Sequence, residues 1–218
     1  METTNNSWAP PDGEPKIALI SVYEKEGIDT FAKELIALGW KILSSGGTAT
    51  FLKKAGIEVI DTADLTGLKA MLSHRVATLH PTIHGGLLAL KTEEHLAEMK
   101  ANNIPWIGMV VVDFYPLKDE INREGATTES VIEKTDIGGP TMIRSGVKGR
   151  RIVVCDTSDR TRVLKWLKAG ALNSDNVITA LGAKAEAIIS EYCMASANFH
   201  SKGNYRADFY RIMNEFDY

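Results

Sequence analysis

Three short stretches of this 218-residue chain carry residue types that could grip or transform a small anion. Ser45-Gly46-Gly47-Thr48 stands where an apolar run gives way to a helical pattern, so backbone N–H groups and the helix dipole would suit a phosphate there. Lys25, just past the first apolar run in Val22-Tyr23-Glu24-Lys25, would lie at the same edge and supply a point charge. A plain connecting turn and a solvated lysine are the bland readings of the same residues. Asp136-Ile137-Gly138-Gly139-Pro140 precedes a helical stretch, with Pro140 suited to its first turn and the glycines open to close approach by a ligand. Thr141, Arg144 and Lys148 then recur at spacings of three and four and share one helix face, either an anion-binding pair of cations or an exposed basic stripe. The third stretch, Arg75-Val76-Ala77-Thr78-Leu79-His80-Pro81-Thr82-Ile83-His84-Gly85-Gly86, has no simple helix or strand period and reads as a site loop. His74, His80 and His84 invite a metal reading. No cysteine or carboxylate stands at ligand spacing, and Pro81 interrupts the helix that would align the last two, so no metal is expected.

The elements that must hold these residues are short apolar runs alternating with helical patterns. Ile17-Ala18-Leu19-Ile20-Ser21-Val22 has the continuous apolar character of a strand buried on both faces, and Ile28, Phe31, Leu35 and Leu38 form the stripe of a following helix that Gly39 ends. Lys41-Ile42-Leu43-Ser44 is a second strand, a helix follows over 49–55, and Ile57-Glu58-Val59-Ile60 is a third strand. Ile107-Gly108-Met109-Val110-Val111-Val112 is the strongest strand signal, closed by Asp113-Phe114-Tyr115-Pro116, and Arg151-Ile152-Val153-Val154-Cys155 is another. Such alternation predicts an α/β fold, a mainly parallel twisted sheet with helices on both faces, that binds ligands at the carboxyl ends of its strands. From about residue 157 onward the chain reads as largely helical, with Val163, Trp166 and Leu167 in one segment and Leu181, Ala185, Ile188, Ile189 and Tyr192 in the next.

Bulk composition narrows the function classes. A 44 % apolar content supports one sizeable core, so residues 16–218 are expected as a single domain behind a flexible lead-in, 1–15, rich in proline. The formal charge of −3 with interspersed signs gives no footprint for nucleic acid. No run approaches the roughly 20 apolar residues of a membrane span, and the polar start lacks a signal peptide's core, so a cytoplasmic protein is expected. Cys155 and Cys193 lie in apolar surroundings and read as buried free thiols.

Taken in order, Leu19-Ile20-Ser21-Val22, Ser45-Gly46-Gly47-Thr48, Leu65-Thr66-Gly67, Arg75-Val76 with Thr78-Leu79-His80-Pro81, Tyr115-Pro116, and Asp136-Ile137-Gly138-Gly139 with Arg144 and Lys148 form a collinear set. From about residue 16 to 192 that set resembles the IMP cyclohydrolase half of the bifunctional AICAR transformylase/IMP cyclohydrolase family, which has a methylglyoxal-synthase-like fold. The resemblance implies ring closure of formyl-AICAR to IMP without cofactor or metal, on a homodimer. Since nucleophile and electrophile are already joined, the protein's task is to hold the reactive rotamer, stabilise the oxyanion and move protons. By resemblance Lys148 donates and accepts protons, Asp136 is the carboxylate near the carboxamide, and Tyr115 places a hydroxyl at the ring. Lys25, Ser45, Gly46, Gly47 and Thr48 match the phosphate cradle, and Arg75, Val76, Ala77, Thr78, Asp113, Ile137 and Gly138 fall at other nucleotide contacts.

Four positions depart from the family pattern. Ala77 stands where Arg-Val-Lys-Thr-Leu-His-Pro has its lysine, Tyr23 replaces a serine, Asp113 replaces the asparagine of Asn-Leu-Tyr-Pro, and Gly149 follows Lys148 where asparagine is usual. Two other readings therefore stand beside the cyclohydrolase: a non-catalytic purine-nucleotide-binding module, and phosphate elimination of the methylglyoxal synthase kind. A transformylase domain would need several hundred further residues, so formyl-AICAR is expected to come from a separate transformylase.

Overall fold

A computed structural model of the chain describes residues 7–72, 75–201, 204, 210–211 and 213–214. In chain order its elements are β1 (Lys16–Ser21), α1 (Ile28–Ala37), β2 (Trp40–Ser44), α2 (Gly46–Lys54), β3 (Ile60–Asp61), α3 (Thr62–Thr66), α4 (Pro81–Leu88), α5 (Glu93–Ala101), β4 (Ile107–Val112), α6 (Leu117–Asn122), α7 (Thr128–Glu133), α8 (Gly138–Lys148), β5 (Ile152–Val154), α9 (Arg160–Lys168) and α10 (Ser174–His200). The described chain gathers into two compact units. One holds the five strands with α1 to α5, α8, α9 and α10 as far as Glu186; the other is built from residues 114–136 and the rest of α10.

In the first unit every strand pair is parallel, in the order β3-β2-β1-β4-β5, with Ile20 opposite Ser44 on one side and Val111 on the other. The fold class expected from the alternation of strands and helices is the one observed. Side chains alternate across a strand, and the apolar runs of β1 and β4 are buried at nearly every position because both faces are covered. Ala18, Ile20, Met109, Val111, Ile152 and Val154 join Phe31 and Leu35 of α1, Val163 of α9 and Ile178 of α10 in one core cluster. On the opposite face α8 comes so close that a Cβ on Gly146 would stand 2.7 Å from Val110 and 3.1 Å from Val153.

The structure departs from the sequence expectations in several places. Residues 7–15, read as lead-in, include Trp8, which is 6 % exposed, stacks on Trp40 at 5.7 Å and accepts a hydrogen bond on its carbonyl from Trp106 Nε1 at 3.0 Å. The third strand is only Ile60–Asp61, because Glu58 faces solvent and pairing with β2 begins at Leu43 and Ile60. Within the stretch expected as a site loop, Pro81 starts α4 rather than interrupting a helix, and the loop proper ends at His80. Cys155 is half-buried and Cys193 is exposed; both are free, and burial pushes the Cys155 thiol up to about 11. Among the described residues no helix is long and apolar enough to cross a membrane.

Among the described residues Arg151 is the most deeply buried charge of the first unit, 1 % exposed at the start of β5. Its guanidinium lies 3.9 Å from the Trp106 ring centroid and donates to the carbonyls of Ser7 (2.7 Å), Gly149 (2.8 Å), Ala89 (2.6 Å) and Gly86 (3.4 Å). Four carbonyls from three main-chain segments converge on one cation, a network of charge-assisted bonds.

In the second unit Val131 and Leu117 are buried, and Thr127 and Ser130 form a reciprocal capping box at the start of α7. Glu120, 4 % exposed, accepts from Arg123 at both carboxylate oxygens, 2.7 Å and 3.1 Å.

Candidate functional site

The carboxyl edge of the parallel sheet collects the loops after β1, β2 and β4 and the amino ends of α2 and α8. Ser44 ends β2 with its hydroxyl donating to the Ile20 carbonyl at 2.6 Å, and Ser45 is the extended residue before α2. Gly46 then turns at φ +53°, a conformation that costs glycine little and other residues much. The Ser45 side chain makes no capping hydrogen bond to α2, and Gly46 and Gly47 are exposed. An uncapped helix start presents its first N–H groups and the positive end of its dipole to an anion. Thr48 is occupied differently from the expectation: its hydroxyl is buried, donates to the Val22 carbonyl at 3.0 Å and accepts from the Val22 N–H at 3.1 Å. It ties the ends of β1 and α2 together and leaves only its backbone to the cradle.

Lys25 is half-buried in the loop after β1 and donates Nζ to the carbonyls of Val22 and, at 3.1 Å, Tyr23. Burial lowers its pKa, while nearby Asp113 and Glu24 work the other way. Asp113, at the end of β4, accepts from the Tyr23 N–H and from the Glu24 N–H at 3.2 Å on one oxygen, and from Arg160 at 3.3 Å on the other. Burial raises its pKa, and these partners oppose the rise. Arg160 was invisible to motif reading. One signal existed: it is the first residue of α9, where a cation opposes the helix dipole and so requires a carboxylate from elsewhere.

Ile137 and Gly138 open α8 at the same edge, with Ile137 exposed. Arg75, Val76, Ala77 and Thr78 precede α4; Val76 bridges Met71, Arg75 is exposed and Thr78 is buried. Lys69, eight residues before Ala77, is exposed. His84 of α4 shares a hydrogen bond with Ser145 of α8 at 2.9 Å through Nδ1, and burial lowers its pKa. His80 Nδ1 accepts from the Thr82 N–H at 3.2 Å as the cap of α4, whereas His74 lies outside the described residues.

Lys148 is not at this edge. Helix α8 runs from Gly138 back along the sheet and ends three residues before β5 starts, so its last residue sits at the strands' amino ends. There Lys148 lines a cavity of about 540 Å³ with Trp106, which precedes β4, and with Arg150, Arg151, Lys91 and Asp175. An eleven-residue helix spans about 16 Å. One small ligand at the Gly46 turn therefore does not reach Lys148 of the same chain. Arg144, on the same face, pairs with Glu186 at 3.0 Å. Gly149 has a steric reason to be glycine, since a Cβ there would run into the Leu87 carbonyl.

The second unit carries Tyr115 and Asp136. The Tyr115 ring lies 4.4 Å from Lys134 Nζ and its hydroxyl is 3.5 Å from Glu120. The Asp136 N–H donates to the Tyr192 hydroxyl at 2.6 Å, and Tyr192 packs its ring 4.9 Å from that of Phe114.

A profile of the MGS-like domain matches residues 27–141, more than half of the chain. The chain belongs to the MGS-like domain family. Among curated proteins this MGS-like chain is similar to the bifunctional purine biosynthesis protein PurH of Streptococcus agalactiae serotype III (strain NEM316), 45 % identical over 190 residues that cover 83 % of the chain and 37 % of the relative. It is also similar to PurH of Caldicellulosiruptor saccharolyticus, 49 % identical over 156 residues, 70 % of the chain and 30 % of the relative. The chain thus spans about a third of the length of these curated relatives. Among solved structures it matches the crystal structure of ForH with a TM-score of 0.77 and 33 % identity, covering 88 % of this chain and 100 % of that one.

Proposed function

We propose that this MGS-like chain is a cytoplasmic IMP cyclohydrolase of purine biosynthesis, closing the ring of formyl-AICAR made by an AICAR transformylase. In that reaction the carboxamide nitrogen attacks the formyl carbon of the same molecule and forms the new C–N bond. The formyl oxygen leaves as water, taking one proton from the carboxamide nitrogen and one from the formamido nitrogen. The proposal calls on no cofactor or metal. Its protein-side requirements are a phosphate anchor, a fixed rotamer and groups that shuttle those two protons.

The observation that carries the reading is the uncapped start of α2 at Gly46 and Gly47, beside Lys25 at the sheet's carboxyl edge, in a chain 45 % identical to PurH over 190 residues. The phosphate sits on those N–H groups, Ile137 and Gly138 open a second helix toward the nucleotide, and Tyr115 and Asp136 take the hydroxyl and carboxylate roles implied by resemblance. Lys148 stands at the opposite edge of its own sheet, so its proton-transfer role is filled by Lys148 of a second copy in a homodimer.

Formyl-AICAR mixed with purified protein gains the ultraviolet absorption of IMP faster than in buffer, and Asp136→Ala and Lys148→Ala each remove the gain. A rate indifferent to both substitutions refutes the assigned roles. Mixing inactive Lys148→Ala with inactive Lys25→Ala protein restores activity through hybrid dimers; continued inactivity refutes the shared site. Tight IMP binding by wild type without any turnover moves the conclusion to a nucleotide-binding module.

A further inference from the structure

The side chain at 113 is a carboxylate where the resembling pattern has a neutral amide, at the edge where a phosphate must be attracted. An isolated aspartate there would draw Lys25 to itself and cancel the charge meant for the ligand. The surrounding contacts prevent this. Asp113 and Arg160 form an ion pair whose side chains are 17 % and 9 % exposed, and the remaining Asp113 oxygen is taken by the N–H groups of Tyr23 and Glu24. Arg160 sends its other arm to the Glu26 carbonyl at 2.9 Å. The turn carrying Lys25 is therefore fastened on both sides, by Asp113 at Tyr23 and Glu24 and by Arg160 at Glu26, while Lys25 itself donates to the carbonyls of Val22 and Tyr23.

We propose that Arg160 is a positioning residue for the phosphate grip: by neutralising Asp113 and clamping the turn at residues 23–26, it keeps the Lys25 charge directed at the ligand. This rests on the reading of the carboxyl edge as the phosphate site given above. Arg160 touches no ligand; it acts through Asp113 and the turn. The two residues work as a matched pair, so removing the guanidinium alone is worse than removing both charges together, because a part-buried carboxylate is then left beside the phosphate.

The test compares wild type, Arg160→Met, Asp113→Asn and the double variant Asp113→Asn/Arg160→Met by calorimetric titration with IMP and by steady-state kinetics with formyl-AICAR. Arg160→Met is expected to weaken IMP binding and raise KM about tenfold or more with kcat changed little, and the double variant to regain most of that loss. Wild-type affinity in Arg160→Met overturns the proposal, and so does a double variant as weak as Arg160→Met, which would make the role purely structural. If wild type itself binds no IMP, the reading of the site fails instead. Amide hydrogen exchange then still decides the clamp: exchange across residues 23–26 must quicken in both variants that lack the Arg160 guanidinium, and unchanged exchange overturns it.

Discussion

The hydroxyl of Thr48 closes a two-way hydrogen bond with the backbone of Val22, donating to its carbonyl at 3.0 Å and accepting from its N–H at 3.1 Å. A residue placed by resemblance in the phosphate cradle thus also fastens the residue that follows β1 to the first turn of α2. Thr48→Val, nearly equal in shape, would leave the buried Val22 N–H without an acceptor. The expected cost is about 1–3 kcal/mol, read from the urea midpoint. An unchanged midpoint would mean that the Val22 N–H finds another partner.

Ala77 tests the chemistry. Restoring a lysine there is expected to raise the formyl-AICAR closure rate by about 10²–10⁴-fold if position 77 lies in the charge or proton path. Single-turnover kinetics separates this from tighter substrate binding, which would lower KM alone. No rate change would show that the pocket meets that need without position 77.

The second unit carries a pH signature. Arg123's hydrogen bonds, helped by Ser130, hold the Glu120 carboxyl down at about 2, below its value in the unfolded chain. A carboxyl whose folded pKa is depressed stabilises fully above its unfolded pKa, about 4.3, and loses that contribution as pH falls from there to about 2. Acid titration followed by circular dichroism is expected to show this loss in wild type and a flatter curve in Glu120→Gln. Equal slopes would remove Glu120 from the account.

Trp8 makes the N-terminal segment part of the fold. Trp8→Ala removes a side chain stacked on Trp40 and set edge-on to Trp166 at 6.1 Å, and is expected to cost about 3–5 kcal/mol in thermal or denaturant unfolding. A stability equal to wild type would return residues 7–15 to the status of a detached leader.

The sheet was legible because its strands are buried on both faces, which forces continuous apolar runs; the Ile107–Val112 strand needed no other signal. Edges were less legible. Ile57-Glu58-Val59-Ile60 looks like a strand by composition, yet only Ile60–Asp61 finds a partner. The start of α2 was placed too late because Gly46 and Gly47 disfavour a helix by about 1 kcal/mol each in isolation, while the site geometry favours one there. At the candidate site, motif order located the Gly46 turn and the loops at the carboxyl edge. Spacing put Arg144 and Lys148 on one helix face, but faces do not say which end of the sheet a residue reaches. The three residues between α8 and β5 held that information, since so short a link pins the end of α8 to the start of a strand. Trp8 and Arg160 escaped for a common reason. Each acts through partners more than thirty positions away in sequence, Trp40 and Trp106 for one and Asp113 for the other, which periodicity cannot register.

Arg151 draws its hydrogen bonds from the main chain of Ser7, Gly86, Ala89 and Gly149 rather than from carboxylates. Peptide oxygens do not titrate in the range where proteins fold, so acidification cannot discharge this rivet as it does an aspartate pair. As pH drops, the amino edge of the sheet should be the last part of the first unit to loosen, and the acid-sensitive Asp113–Arg160 clasp among the first.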